Sequence, residues 1–385
     1  MRSRPAASVS AALLGLALAV GSARAQFSLD FDTSIRAAGM GGAGAAVMWG
    51  EPGVWANPAT LAGVHGVGWV AGYTHILPDL FDGAEFSSQR MMLGGSGLGV
   101  SLMGEPISGL GKARLDFGTF GDPFGSGPIS PFEETKGWGV AISPLRLFDA
   151  LRRSDQPNVQ RLTDRGEIAF GYQSKTTRAG IEESSETFDV GDTYDWGVTG
   201  RLALARLLNP EAPFRLDLSG AYSEANHSDA ESSSGGDSLF AFGPTRLDRV
   251  GVALHLSPAP PSQRTATPPS LPWWRPGDVP EISFGLAYDH EQRKSVPSGF
   301  TNTIQHYGLE VSVFRLLAFR IGYHDDKAGE VQGMTYGGGV TLPIGPWASI
   351  GYDIATVPQV EGIDRQVRQG WSAWLDPLRI FNGAR

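Results

Sequence analysis

The side chains able to do chemistry in this chain are few and scattered. Seven histidines occur (His65, His75, His227, His255, His290, His306 and His324) and no cysteine. Disulfides and thiolate chemistry are therefore excluded. Two triplets have the composition of a metal site, Asp289-His290-Glu291 and His324-Asp325-Asp326. Both fall where an alternating run ends, as polar residues do on reaching water, and neither has metalloenzyme spacing. They read as loop polarity, and no metal site is expected. His255 and Ser257 invite comparison with a hydrolytic pair, but no G-x-S-x-G elbow accompanies them. The glycines at 39–44 lack the preceding strand and the distal acid of a dinucleotide fingerprint. No catalytic, cofactor-binding or metal-binding residue is assigned, and no enzyme is expected.

The elements that carry these residues are dominated by turns and strands. The 52 glycines and 26 prolines among 385 residues argue against a helical protein. The chain opens with Arg2 and Arg4, an apolar run from Ala11 to Val20 and an Ala23-Arg24-Ala25 cleavage site, the pattern of a secretory signal peptide over 1–25. That run is too short to span a bilayer as a helix. The formal net charge of −9 falls to about −12 once Arg2, Arg4 and Arg24 are removed. An exported, acidic chain is a poor candidate for binding nucleic acid, which rests on neutralising phosphates.

After residue 66 the main signal is alternation. In 281–290, Ile282, Phe284, Leu286 and Tyr288 share one face, with Ser283, Gly285, Ala287 and Asp289 on the other. In 194–204, Tyr194, Trp196, Val198, Leu202 and Leu204 oppose Asp195, Gly197, Thr199, Arg201 and Ala203. The runs at 214–222, 249–257, 306–313 and 319–326 repeat the pattern. One face is large and apolar, and the other is small or charged. A soluble sandwich would put long polar side chains outside and a dense apolar core inside. Small and charged residues instead suit the lumen of a barrel whose outer wall meets lipid. Tyr172, Tyr222, Tyr288, Tyr323, Trp347 and Tyr352 lie near segment ends, as an interfacial girdle would. The expected fold is all-β: a transmembrane antiparallel β-barrel of about 14 strands over 66–385, in contact with outer-membrane lipid. A soluble periplasmic β protein is the alternative.

Long polar loops are expected near 223–238 and, rich in proline, near 257–280. Residues 147–165 hold a basic cluster and read as a solvated loop, with room for a helical turn; the tail at 365–381 fits a terminal strand or an amphipathic helix equally. Ahead of the barrel, residues 26–65 are crowded with glycine and alanine and end in Asn57-Pro58-Ala59. Glycine permits close backbone approach and proline fixes a turn. Such a segment suits a lumenal plug; a glycine-rich linker is the other reading of the composition.

The block Ser34-Ile35-Arg36-Ala37-Ala38-Gly39-Met40-Gly41-Gly42-Ala43-Gly44, followed by Asn57-Pro58-Ala59, resembles the N-terminal signature of the FadL superfamily of outer-membrane proteins, and more closely its PorV/PorQ-like branch. Gly308-Leu309-Glu310, Arg320-Ile321-Gly322-Tyr323 and Tyr336-Gly337-Gly338-Gly339-Val340 are similar to that branch's C-terminal strands. The resemblance implies a 14-stranded barrel with the N-terminal segment in its lumen. It also implies roles for Gly39, Gly41, Gly42 and Gly44 in close packing, and for Asn57, Pro58 and Ala59 in the turn. Two features depart from the pattern: the chain runs past Phe381 to Arg385, and Gly351-Tyr352 stands where relatives have Asp-Tyr. FadL-type members pass hydrophobic compounds through a kink or gap in the wall, whereas PorV-type members bind secreted proteins and hand them on at the cell surface. The leading expectation is passive transport of small hydrophobic molecules across the outer membrane. A non-enzymatic barrel that receives secreted proteins is the alternative.

Overall fold

In the computed structural model the described residues are 34–48, 53–76, 84–103, 113–121, 128–153, 162–184, 186–209, 212–227, 245–258, 282–294, 301–329, 331–345, 347–359 and 364–377. The expected signal peptide lies outside them, as does most of both expected long loops. The N-terminal segment holds a short helix, α1 (Ile35–Gly39), and a 3-10 helix, Pro58–Gly63. The strands are β1 (Gly66–His75), β2 (Ala84–Gly95), β3 (Leu98–Met103), β4 (Ala113–Phe117), β5 (Phe120–Gly121), β6 (Pro128–Ile129), β7 (Pro131–Ile142), β8 (Gly166–Ile181) and β9 (Glu186–Ala203). They continue as β10 (Phe214–His227), β11 (Arg246–Pro258), β12 (Ile282–Lys294), β13 (Thr301–Val313), β14 (Leu317–Asp326), β15 (Val331–Ile344), β16 (Ala348–Val357) and β17 (Gln366–Leu375). Two further helices, α2 (Pro144–Arg153) and α3 (Leu204–Leu208), follow β7 and β9.

Every pairing is antiparallel, and β1 pairs with both β17 and β2, which closes the sheet. β3 and β4 both lie between β2 and β7, so they are two parts of one barrel position. Counted this way the barrel has 14 strands, the even number that brings both ends of the wall to the same rim. β5 and β6 form a separate two-stranded ribbon. No helix among the described residues is long and apolar enough to cross a membrane, and the fold needs none.

The alternation read from sequence sets the two faces of the wall. Trp138, Val140, Phe170, Leu286, Phe319 and Leu342 are exposed on the outside, while Glu133, Lys175, Asp195, Asp289, Glu291 and Glu310 are buried within. Exposing a large apolar side chain to water forfeits roughly 1.5–3 kcal/mol each. An outer wall of this composition is matched to lipid rather than to water.

Three sequence expectations change, and one left open is decided. Residues 147–153 are not loop but the body of α2, pinned to the rim by Asp149 and by Arg146 just before them. Ser223–His227 continue β10, their polarity reflecting a lumenal face: Ser223 and Asn226 are buried there. Asp289-His290-Glu291 sits within β12 rather than at a strand end, with both carboxylates buried. The tail resolves in favour of a strand, β17, whose pairing with β1 closes the barrel.

Candidate functional site

Residues 34–48 and 53–65 are packed against the inward-facing side chains of the barrel. Their first anchor is α1, capped by Ser34, whose Oγ accepts the N–H of Ala37 at 3.1 Å. The cap aims Arg36 at the wall, where its guanidinium donates to both oxygens of Glu310, at 2.7 and 2.8 Å. Glu310 also accepts from Arg320 at 2.7 Å, and Arg320 donates in turn to Asp353. Breaking a buried pair of this kind costs roughly 3–5 kcal/mol, because the remaining charge stays desolvated.

The glycine block follows. Gly41 and Gly42 have φ of 71° and 94°, the left-handed region that glycine enters without penalty. The Gly41 N–H donates to the Thr335 hydroxyl at 2.9 Å, and that hydroxyl donates to the Gly39 carbonyl at 3.0 Å. His306 Nδ1 lies 2.7 Å from the Gly41 carbonyl, which can only accept, so Nδ1 carries the proton. Gly44 differs from its neighbours: its N–H and that of Ala45 both donate to one oxygen of Asp289, at 2.7 and 2.8 Å. The wall is bare where the block meets it, since a Cβ on Gly322 would collide with the Gly41 nitrogen.

A second anchor is the Asn57 turn. Its Oδ1 accepts the Ala59 N–H at 3.0 Å and caps the 3-10 helix, with Pro58 in the first position. Its Nδ2 donates to the Ala45 carbonyl at 3.1 Å and to the Val198 carbonyl, on β9, at 3.2 Å. Asn57 thereby ties the two halves of the segment to each other and to the wall. Ser223 donates to the Ala56 carbonyl at 2.7 Å. Gly171 and Gly197 leave the space that Pro58, Ala59 and Asn57 occupy.

Between the anchors, Trp55 enters an apolar cluster with Phe86, Met103, Ala113 and Leu115, flanked by Ile76 and Phe117. Lys175 Nζ is 4.9 Å from the Trp55 ring centroid and the Arg90 guanidinium 5.5 Å, a cation–π arrangement. Lys175 is itself held by Asp195 at 2.8 Å and by Asn226 at 2.6 Å. Met103 ends β3 and Ala113 begins β4. At this level the ladders pass over Gln89 and Arg90 of β2 and Lys136 of β7. Other apolar clusters join the segment to the wall around Leu61 and Met92, around Met40 and Val47, and around Ile35. The Trp55 cluster is the one built from residues on both sides of the β3–β4 interruption.

Sequence reasoning marked Gly39, Gly41, Gly42, Gly44, Asn57, Pro58 and Ala59, and the structure places all seven in this buried segment. Their wall partners Asp289, His306, Glu310 and Thr335 were not marked. The usable signal was parity: Asp289 and Glu291 share a strand face with Ala287 and Gly285. His255 and Ser257 are on the lumenal side of β11, opposite Asp217 and Arg215 in register. Among the described residues no group of three or more His, Asp or Glu side chains could hold a metal ion.

No protein-family model matches the chain, and no curated protein matches it. Solved structures do. The Ralstonia pickettii toluene transporter TbuX is similar with a TM-score of 0.41 and 12% identity, over 89% of this chain and 97% of that one. The Pseudomonas putida toluene transporter TodX gives 0.40 and 11%, over 88% and 97%. A Pseudomonas aeruginosa FadL homologue gives 0.41 and 9%, over 89% and 98%. Scores of this size carry no argument about function, which rests on the wall, lumen and N-terminal segment of this chain.

Proposed function

We propose that the chain is an outer-membrane barrel of FadL type that admits small hydrophobic molecules, with residues 1–25 a cleaved export signal, 26–65 a lumenal plug and 66–385 the spanning wall. The apolar outer face supports the membrane setting. The observation that carries the transport reading is the place of the Trp55 cluster, an apolar patch set where the third barrel position divides into β3 and β4. A small apolar solute partitions into such a patch for the same reason that the side chains cluster there. In this reading the solute leaves for lipid where the ladders are interrupted between Met103 and Ala113, moving down its gradient.

The plug glycines Gly39, Gly41, Gly42 and Gly44 and the turn Asn57-Pro58-Ala59 have a positioning role in this reading. They set the depth at which Trp55 meets the wall, and so the shape of the patch.

The test is native mass spectrometry of the protein gently purified from outer membranes, paired with uptake of a small aromatic hydrocarbon by intact cells producing it. Wild-type protein should carry a small apolar ligand and raise uptake, and Met103→Asp should lose both while the barrel remains folded. A stoichiometric protein partner with no small ligand would overturn the transport reading in favour of a secretion-associated barrel.

A further inference from the structure

Helix α2 is mounted inside out. Two of its polar residues face the protein: Arg146 donates to Glu167 at 2.8 Å, and Asp149 accepts from the Thr163 N–H and hydroxyl at 2.9 and 2.8 Å. Its two most exposed large apolar residues face away, Phe148 at 51% and Leu151 at 67%, while Leu145 and Leu147 are half-buried. An amphipathic helix on a water-soluble protein does the reverse, burying its apolar stripe. α2 packs against β8, whose outward residues Ile168 and Phe170 are themselves exposed, and it follows directly on the exposed Ile142 of β7. The apolar face of the helix is thus continuous with the outer wall. On the same rim α3 repeats the arrangement, with Leu207 and Leu208 exposed beside Leu202.

We infer that α2 lies in the plane of the membrane interface, with Phe148 and Leu151 among phospholipid acyl chains and the exposed Arg152 at the level of their phosphates. The occupant follows from continuity with the lipid-facing wall and from charge, because Arg152 borders the apolar face and an arginine pairs with phosphate. The helix then fixes how deep the barrel sits at the rim where β1 begins and β17 ends. This inference rests on the membrane reading of the wall, and its test separates the two.

The chain has no cysteine, so single cysteines can be introduced without other changes. Phe148→Cys, Leu151→Cys and Arg152→Cys, with Leu286→Cys as a wall control, are spin-labelled in the full chain. The labelled proteins are reconstituted into phosphatidylethanolamine–phosphatidylglycerol vesicles. Accessibility to oxygen is compared with accessibility to a water-soluble nickel chelate. Labels at 148 and 151 should match the control in favouring oxygen, and the label at 152 should fall between control and water. If the control favours oxygen while 148 and 151 are reached freely by nickel, the interfacial helix is overturned and the membrane barrel stands. Spin–spin broadening at 148 and 151 would overturn it in favour of a second copy of the chain. If the control is itself reached by nickel, both readings fall.

Discussion

The Asp289 carboxylate, on β12, accepts the backbone N–H of Gly44 at 2.7 Å and that of Ala45 at 2.8 Å through a single oxygen. One side chain thus satisfies two consecutive donors in a segment with no strand partner. Asp289→Ala should orphan both, at about 1–3 kcal/mol each. Asp289→Asn keeps an acceptor and should lose less. Limited proteolysis of the folded barrel checks this: cleavage within 40–48 should appear in the alanine variant and stay weak in the asparagine variant. Equal protection in all three proteins would show that Asp289 does not hold the segment.

Gly171 and Gly220 predict opposite responses to the same substitution. A Cβ on Gly171 would strike the backbone of Pro58 and Ala59, whereas one on Gly220 meets nothing within 4 Å. Gly171→Ala should therefore destabilise docking of the Asn57 turn by roughly 1–3 kcal/mol, the cost of overpacking. Gly220→Ala should leave it unchanged. Hydrogen exchange of the Ala59 and Thr60 amides in detergent-solubilised protein reads the difference. Similar exchange in both variants would remove the packing argument.

The barrel was legible because its two faces differ so consistently in side-chain size. Ile282, Phe284 and Leu286 against Ser283, Gly285 and Ala287 already specify which side meets lipid. The same rule fails at Asp289-His290-Glu291, where charge reads as the end of a strand but lies within β12. In a barrel with a polar lumen, charge continues inside the span as long as it keeps the inward parity. Ser223–His227 and α2 differ from the sequence expectation for related reasons, since polar residues there serve the lumen and the rim. The pairing of Arg36 with Glu310, 274 residues apart, left no local trace. Which carboxylate receives Arg36 depends on the closure of the barrel, and no periodicity encodes that.

Outside the spanning strands, Glu183 closes a clasp between two barrel connections. The Ser130 hydroxyl and N–H donate to its carboxylate at 2.7 and 2.8 Å, and these bonds hold its pKa below the ordinary glutamate value. A folded-state pKa below the unfolded one means that the contribution to stability is present above the unfolded value. It is lost as pH falls through the lowered folded one. The clasp should therefore open at a lower pH than that at which an ordinary glutamate titrates. A carbon-13 titration of the Glu183 carboxyl, repeated in Ser130→Ala, checks this. A midpoint at or above the usual glutamate value in the parent protein would contradict the clasp.

The turn from β13 to β14 carries avoidable strain. Phe314 and Arg315 have φ of 55° and 57°, and Leu316 donates to the Val313 carbonyl at 3.0 Å. The register pairs Val313 with Leu317, so the connection is three residues long, and its two consecutive left-handed positions are ones that Asn and Gly enter most readily. A residue other than glycine held in this region costs on the order of 1–3 kcal/mol. Replacing Phe314 by Asn and Arg315 by Gly should thus stabilise the barrel by about 1 kcal/mol or more, offset by whatever Phe314 contributes at the rim. Reversible urea unfolding in vesicles measures the sum, and the single variants divide it. If Arg315→Gly alone stabilises and Phe314→Asn destabilises, the strain is real and Phe314 is retained as a membrane anchor. If neither stabilises, the turn is relaxed with its native residues.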